Sequence, residues 1–101
     1  MTVSGDIMPR RDTDQELFVV VLSNAVHLAA MTGRVITCPF IPGEIPGDAM
    51  AMVVAAVGRP AGVVLPELVQ WLPTSALDEP IGNIGPAALR KSCEMVSALV
   101  S

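Results

Sequence analysis

Tyrosine is missing altogether, and Trp71, Phe18 and Phe40 are the only aromatic residues among 101. A platform that stacks successive bases of a single strand needs several aromatics in series, so this poverty argues against one. Cysteine is scarce as well. Cys38 and Cys93 allow one bridge at most, and no CxxC pair or Cys/His cluster supplies metal-ligand spacing, so no metal site and no cofactor are expected. Asp6, Arg10, Arg11, Asp12 and Asp14 crowd the N-terminus without an apolar stretch, which argues against a secretory leader and for a cytoplasmic protein. Its two cysteines then read as free thiols in apolar surroundings. The longest uncharged apolar run, Ala49 to Val57, has nine residues against the ~20 of a spanning helix, so no membrane span is expected. Basic residues are also few. Six Lys and Arg against ten Asp and Glu leave a net charge of −4, which disfavours a broad nucleic-acid surface but not a local one.

What the chain has in excess is apolar surface. Its apolar fraction is 51%, above the usual share once the eight glycines are added, since average domains reach about 45–50% with glycine included. A chain of this length forms one domain, 1–101, and cannot hide that much apolar area in a core of its own. The surplus points to a partner chain, most simply a homodimer.

Short strands separated by Pro and Gly turns dominate the pattern. Ser4 to Met8 reads as an opening strand and Pro9 to Glu16 as a polar loop. Leu17 to Leu22 (LFVVVL) lacks alternation, so it should be a strand buried on both faces. Ala25 to Met31 has room for at most two helical turns, and Arg34 to Pro39 is a further strand. Phe40 to Asp48, with two Pro-Gly pairs, reads as a loop. Ala49 to Ala56 reads as a long strand or a buried helix, and Gly58 to Gly62 as a turn. Val63 to Leu65 and Leu68 to Leu72 bracket Pro66-Glu67 as two short strands or one bent strand. The last segment is the clearest. Pro86 stands where a first helical turn tolerates proline, and Leu89, Cys93, Val96 and Leu99/Val100 recur at helical spacing opposite Arg90, Lys91, Glu94 and Ser97. The whole is mainly β (α+β), a small barrel with a C-terminal helix.

Few side chains can carry chemistry. His27 is the single histidine, the residue type suited to proton transfer near neutrality, although a polar residue on a short helix has the same sequence signature. Arg10 and Arg11 are two adjacent guanidinium groups that can hold phosphate oxygens, or else belong to a solvated loop balanced by Asp12, Asp14 and Glu16. Ser23 and Asn24, at a strand end, offer hydrogen bonds toward the same side or form an ordinary turn. Trp71 reads as a core or interface anchor. No P-loop, dinucleotide fingerprint or nucleophile elbow is present.

The order of elements carries a resemblance. Gly5-Asp6-Ile7, the strand ending Val20-Val21-Leu22-Ser23-Asn24, the Val35-Ile36 strand ending at Pro39, Gly62-Val63-Val64-Leu65-Pro66 and the final helix together resemble the MazF/PemK toxin superfamily. The likeness covers essentially the whole chain and is greatest to a divergent actinobacterial branch. It implies an SH3-like small barrel of the CcdB/MazF type and a homodimer. It also implies the toxin role of a type II toxin–antitoxin pair, held inactive by a cognate antitoxin and cleaving single-stranded RNA without a metal. The family's catalytic arginine precedes the second strand, where this chain has Leu17-Phe18, and its catalytic Ser/Thr follows the proline of the third strand, where Phe40-Ile41-Pro42 stand. Neither residue carries over. Arg10 and Arg11 lie in the corresponding first loop, and Thr37 is the nearest upstream hydroxyl. The gyrase-poison branch ends in Trp-Gly-Ile, unlike Ala98-Leu99-Val100-Ser101.

The resulting expectation is a metal-independent endoribonuclease with His27, Arg10 and Arg11 as catalytic residues and Arg10, Arg11, Ser23, Asn24 and Thr37 as RNA contacts. Its rivals are a non-enzymatic toxin that blocks a protein such as DNA gyrase, and a catalytically inactive scaffold that binds antitoxin. The apolar surplus yields a first prediction. Sedimentation at micromolar concentration should give a dimer, with the C-terminal helix or the strand near Trp71 at an interface of ~2,000 Å² or more; a monomer would remove the argument from composition.

Overall fold

The computed structural model describes residues 2–43, 53–55 and 60–100. Strands β1 (Asp6–Pro9) and β2 (Phe18–Val21) precede a short helix, α1 (Ala25–Ala29). Strands β3 (Arg34–Pro42), β4 (Val53–Ala55), β5 (Gly62–Val64), β6 (Gln70–Pro73) and β7 (Gly82–Asn83) follow, and helix α2 (Pro86–Val100) ends the fold. All pairings are antiparallel, in the order β4-β5-β3-β2-β1-β7, with β6 also on β3.

Of the expected strand Leu17–Leu22, Val19 to Leu22 are buried on both faces, as the unbroken apolar character implies, whereas Phe18 is partly buried and Leu17 is exposed before the strand begins. Val20 and Leu22 join Ile7, Cys38, Phe40 and Ile84 in one core cluster, and the partly buried Leu89, Cys93, Met95 and Val96 of α2 pack against it. Val19 and Val21 face the opposite way and pack with Met8, Val35, Leu72 and Leu77. Cys38 and Cys93 are free thiols. Burial pushes the Cys38 thiol up to about 12, with the Cys93 sulfur as a lesser cause. Such a group stays protonated at neutral pH and behaves as core.

β3 is longer than its composition suggests, because Phe40 to Pro42 continue the strand instead of opening a loop. β2 pairs with one edge of β3 from Thr37 to Phe40, while β6 and β5 share the other edge, at Arg34–Thr37 and Phe40–Pro42. Pro39 stands at the changeover. The Leu22 N–H bonds the Ile36 carbonyl at 2.8 Å, and alternation then places Val19↔Pro39 between hydrogen-bonded pairs, where no N–H is needed toward β2.

Leaving β6, the chain turns through a 3₁₀ turn at Thr74–Ala76 and runs back along β1. Arg10 bridges Leu77, the Asp78 N–H bonds the Pro9 carbonyl at 2.9 Å and the Ile81 N–H bonds the Ile7 carbonyl at 2.8 Å. One segment thus starts on β3 and finishes on β1, curling the sheet into a half-barrel that α2 covers.

Several boundaries differ from the sequence reading. β1 begins at Asp6 because Ser4-Gly5 is a turn, with Gly5 at φ 90°. Pro9 belongs to β1 and not to the loop. Pro66–Leu68 is a 3₁₀ turn between β5 and β6, and the two-residue β7, held only by β1, has no sequence signal of its own. Of the run Ala49–Ala56, residues 53–55 form a strand; residues 49–52, 56–59 and the 44–48 part of the expected loop lie outside the described residues. Leu99 is 61% exposed and not part of the packed stripe of α2, whereas Ser92 is buried there and donates to the Ala88 carbonyl at 2.8 Å.

The early Gly-Asp pair has a structural cause. The buried Asp6 carboxylate accepts the Val3 N–H at 2.8 Å and the Asn83 side-chain amide at 3.1 Å, and the Asn83 oxygen accepts the Gly85 N–H at 2.8 Å. A Cβ on Gly5 would stand 2.9 Å from that oxygen. This knot joins β1 to the start of α2, which generates a second prediction. Asn83→Ala leaves Asp6 short of a donor and Gly85 without an acceptor, and should lower the unfolding free energy by about 1–3 kcal/mol in urea titration. Asn83→Asp, which sets a second carboxylate against Asp6, should cost more.

Candidate functional site

β2 ends at a hydroxyl that organises everything around His27. Ser23, 1% exposed, accepts the Ile36 N–H at 2.8 Å and lies 2.7 Å from Nδ1 of His27. A buried hydroxyl needs an acceptor for its own proton, and in this pair Nδ1 supplies it. The network therefore assigns the neutral ring's proton to Nε2. Thr32 Oγ1 lies 3.5 Å from Nε2 and is tied to Arg34 on both backbone atoms, accepting its N–H at 3.3 Å and donating to its carbonyl at 3.2 Å. Although a serine 2.7 Å from a histidine has the look of a nucleophile and its base, Ser23 is too buried to meet a substrate. It orients the ring.

Asn24 caps α1, its side-chain oxygen accepting the His27 N–H at 2.9 Å. That oxygen is therefore occupied holding the helix. Trp71, expected in a core or interface, is 56% exposed on β6, and its indole meets the His27 ring edge-on, with centroids 5.3 Å apart and planes at 85°. His27, Thr32, Arg34, Met8, Thr74 and Leu77 are among the residues lining a cleft of about 330 Å³.

The two sequence-predicted arginines do not enter this cleft. Arg10 makes a two-toothed contact with Asp12, at 2.9 and 2.8 Å. Those hydrogen bonds hold the Asp12 carboxyl below its ordinary range and raise the Arg10 guanidinium. Arg11 donates from Nε to the Ser75 carbonyl at 2.8 Å and lines a neighbouring groove that shares Thr2, Met8, Thr74 and Leu77 with the His27 cleft. Thr37 is fully buried and donates to the Gln70 carbonyl at 3.1 Å, so its hydroxyl is turned inward and is not available to a ligand. Arg34 went unnoticed as a site residue because it opens a strand. The available signal was its place directly after the Thr32-Gly33 turn that follows the histidine's helix.

A second cleft, of about 390 Å³, opens where the resemblance puts the family's catalytic residues. Leu17, Phe18, Pro39, Phe40, Ile41 and Leu65 are among its lining, with Arg10 and Glu16 at hand. The replacements noted in the sequence thus form an apolar wall.

The family model described as "Type II toxin-antitoxin system toxin Rv0299" matches residues 5–99. The chain belongs to this family of type II toxins. The toxin is also 62% identical over 100 residues to Toxin Rv0299 of Mycobacterium tuberculosis, covering 99% of each chain. Solved structures agree in fold. MazE-MazF from Deinococcus radiodurans superposes with a TM-score of 0.74 at 20% identity, covering 99% of this chain and 95% of that one. A mycobacterial endoribonuclease in complex with its cognate antitoxin gives 0.70 at 14% identity, covering 99% and 95%. The M. tuberculosis toxin MazF-mt6 gives 0.68 at 21%, covering 92% and 93%. The half-barrel with its C-terminal helix is the MazF fold.

The Ser23 network generates a third prediction. Ser23→Ala strands the Ile36 N–H and removes the partner of Nδ1, so urea unfolding should show a loss of about 1–3 kcal/mol. Nitrogen-15 spectra should show the parent's neutral His27 as the Nε2–H tautomer, and a mixture in the variant. An Nδ1–H parent would overturn the assignment.

Proposed function

We propose that this toxin cleaves single-stranded RNA without a metal, using His27 for proton transfer, and that it acts as a homodimer under the control of a cognate antitoxin in the cytoplasm. The observation that carries the reading is the His27 cleft, where an oriented imidazole and a cationic residue line the same cavity and an exposed indole packs against the imidazole from outside it. Endoribonuclease activity in a mycobacterial neighbour of the same fold supports it, as do the antitoxin complexes among those neighbours.

In the proposed reaction the 2′-hydroxyl attacks the adjacent phosphorus. The O2′–P bond forms, the P–O5′ bond breaks, and the products are a 2′,3′-cyclic phosphate and a 5′-hydroxyl. The attacking hydroxyl loses its proton to solvent, and His27 in its imidazolium form, with Nδ1–H now donating to Ser23 Oγ, gives the Nε2 proton to the departing O5′. Solvent then returns a proton to Nε2, and the resting tautomer is restored by loss of the Nδ1 proton. Nδ1, engaged by Ser23, is the nitrogen that stays with the protein. Trp71 offers one flat, exposed face for a base beside the cleft.

One observation favours a second reading, a toxin that blocks a protein target. The apolar wall of Leu17, Phe18 and Ile41 replaces catalytic chemistry with a surface that another protein would cover.

The fourth prediction separates them. Antitoxin-free protein incubated with long RNA in EDTA should yield discrete fragments ending in cyclic phosphate, and Trp71, the sole tryptophan, should report binding through its fluorescence. His27→Ala should slow cleavage by about 10²–10⁴-fold. Cleavage by that variant at the parental rate overturns the catalytic role. Growth arrest with intact RNA moves the target-blocking reading ahead.

A further inference from the structure

We infer that Arg34, and neither Arg10 nor Arg11, is the side chain that holds the scissile phosphate in the His27 cleft; this rests on the endoribonuclease reading and names the anion-binding group of that same site.

Three observations converge on it. First, Arg34 lines the cleft together with His27 and Thr32, and among the described residues no carboxylate lines it. A phosphodiester entering there meets Arg34 and, in the reacting form, the His27 imidazolium, both of opposite sign. Second, the guanidinium is available. Among the described residues Arg34 has no side-chain hydrogen bond or ion pair, whereas Arg10 is engaged twice by Asp12 and Arg11 by the Ser75 carbonyl. Binding phosphate through Arg10 would first require breaking its contact with Asp12; Arg34 has nothing to give up. Third, its backbone is fixed relative to the imidazole. Thr32 Oγ1, 3.5 Å from Nε2, is bonded to both the N–H and the carbonyl of Arg34. Arg34 stands opposite Pro73 on β6, and the adjoining Gly33 carbonyl accepts the Thr74 N–H at 2.9 Å. These bonds fix where the side chain starts relative to the imidazole, so that the guanidinium and Nε2 open on the same cleft.

A guanidinium is suited to the role. It stays charged, forks onto two phosphate oxygens, and keeps its hold as negative charge grows on them during attack. The roles then divide by residue: Arg34 holds the anion, Nε2 of His27 supplies the proton and Ser23 keeps the ring in place.

The test measures binding apart from cleavage, using a single-stranded oligonucleotide with every 2′-hydroxyl methylated, which cannot be cut. Arg34→Ala should weaken its affinity about tenfold and lower the slope of log K against log salt by about 0.7, the value of one phosphate contact on a single strand. Arg34→Lys should retain the salt slope while losing part of the affinity, and Lys91→Ala, on α2, should match the parent. Arg34→Gln is measured beside Arg34→Ala, and circular dichroism and the urea midpoint of both separate a binding defect from a fold defect. Parental affinity and slope in folded Arg34→Ala and Arg34→Gln overturn the assignment while leaving the endoribonuclease reading intact if the parent binds and cuts RNA. A parent that binds no oligonucleotide overturns both.

Discussion

β3 must satisfy three partners at once, and the rest of the molecule follows from how it does so. A nine-residue strand with β2 on one edge has a second edge long enough for two short strands, and β6 and β5 divide it. Pro39 lies at the division. Its missing donor falls where β2 requires none, so proline sits inside a sheet without leaving a partner's carbonyl unmet. β6 is thereby anchored at the Arg34 end, and the chain beyond it has only the free edge of β1 to return to. Closure of the half-barrel is the consequence.

The same anchoring makes the site. β6 on β3 sets Trp71 opposite Ile36 and Pro73 opposite Arg34, while the Ile36 N–H is also a donor to Ser23. One backbone position thus connects the exposed indole, the buried hydroxyl and the histidine. The imidazole is held from the buried side and open on the other, an arrangement that fixes a proton's position before any substrate arrives. The arginines divide by partner: Arg10, away from this cleft, is paired with Asp12, and Arg34, which lines it, has no such pair among the described residues.

Apolar replacement and polar invention occur in different parts of this barrel. The cleft beside β2 and the Phe40 end of β3 is lined by Leu17, Phe18 and Ile41 together with Arg10, Glu16 and Gln70, while the cleft at the opposite end of β3 is lined by Thr32, Arg34 and the His27 ring. Shared architecture with MazF proteins fixes the scaffold and does not by itself fix the chemistry.

Sequence alone determined the strongest elements. An unbroken apolar run has to be a strand covered on both faces, as Val19 to Leu22 are, and Pro86 followed by apolar residues at helical spacing has to be an amphipathic helix. The ordered strand ends were enough to suggest the fold. His27 was legible as well, being the only residue of its kind. Tertiary structure alone decided which cations accompany it. Adjacent arginines in a polar loop look like a phosphate site, yet their guanidinium groups find Asp12 and the Ser75 carbonyl, the latter 64 residues away in the chain. Thr37 and Ser23 are both hydroxyls on or near strands, and only the pairing of β3 with β6 and β2 turns them inward. Asn83 and the two-residue β7 have no periodicity to announce them, because their stability comes from Asp6 and β1, contacts 77 residues apart. A composition or a period records which face a residue prefers; which partner it meets there is set by strands brought together from distant parts of the chain.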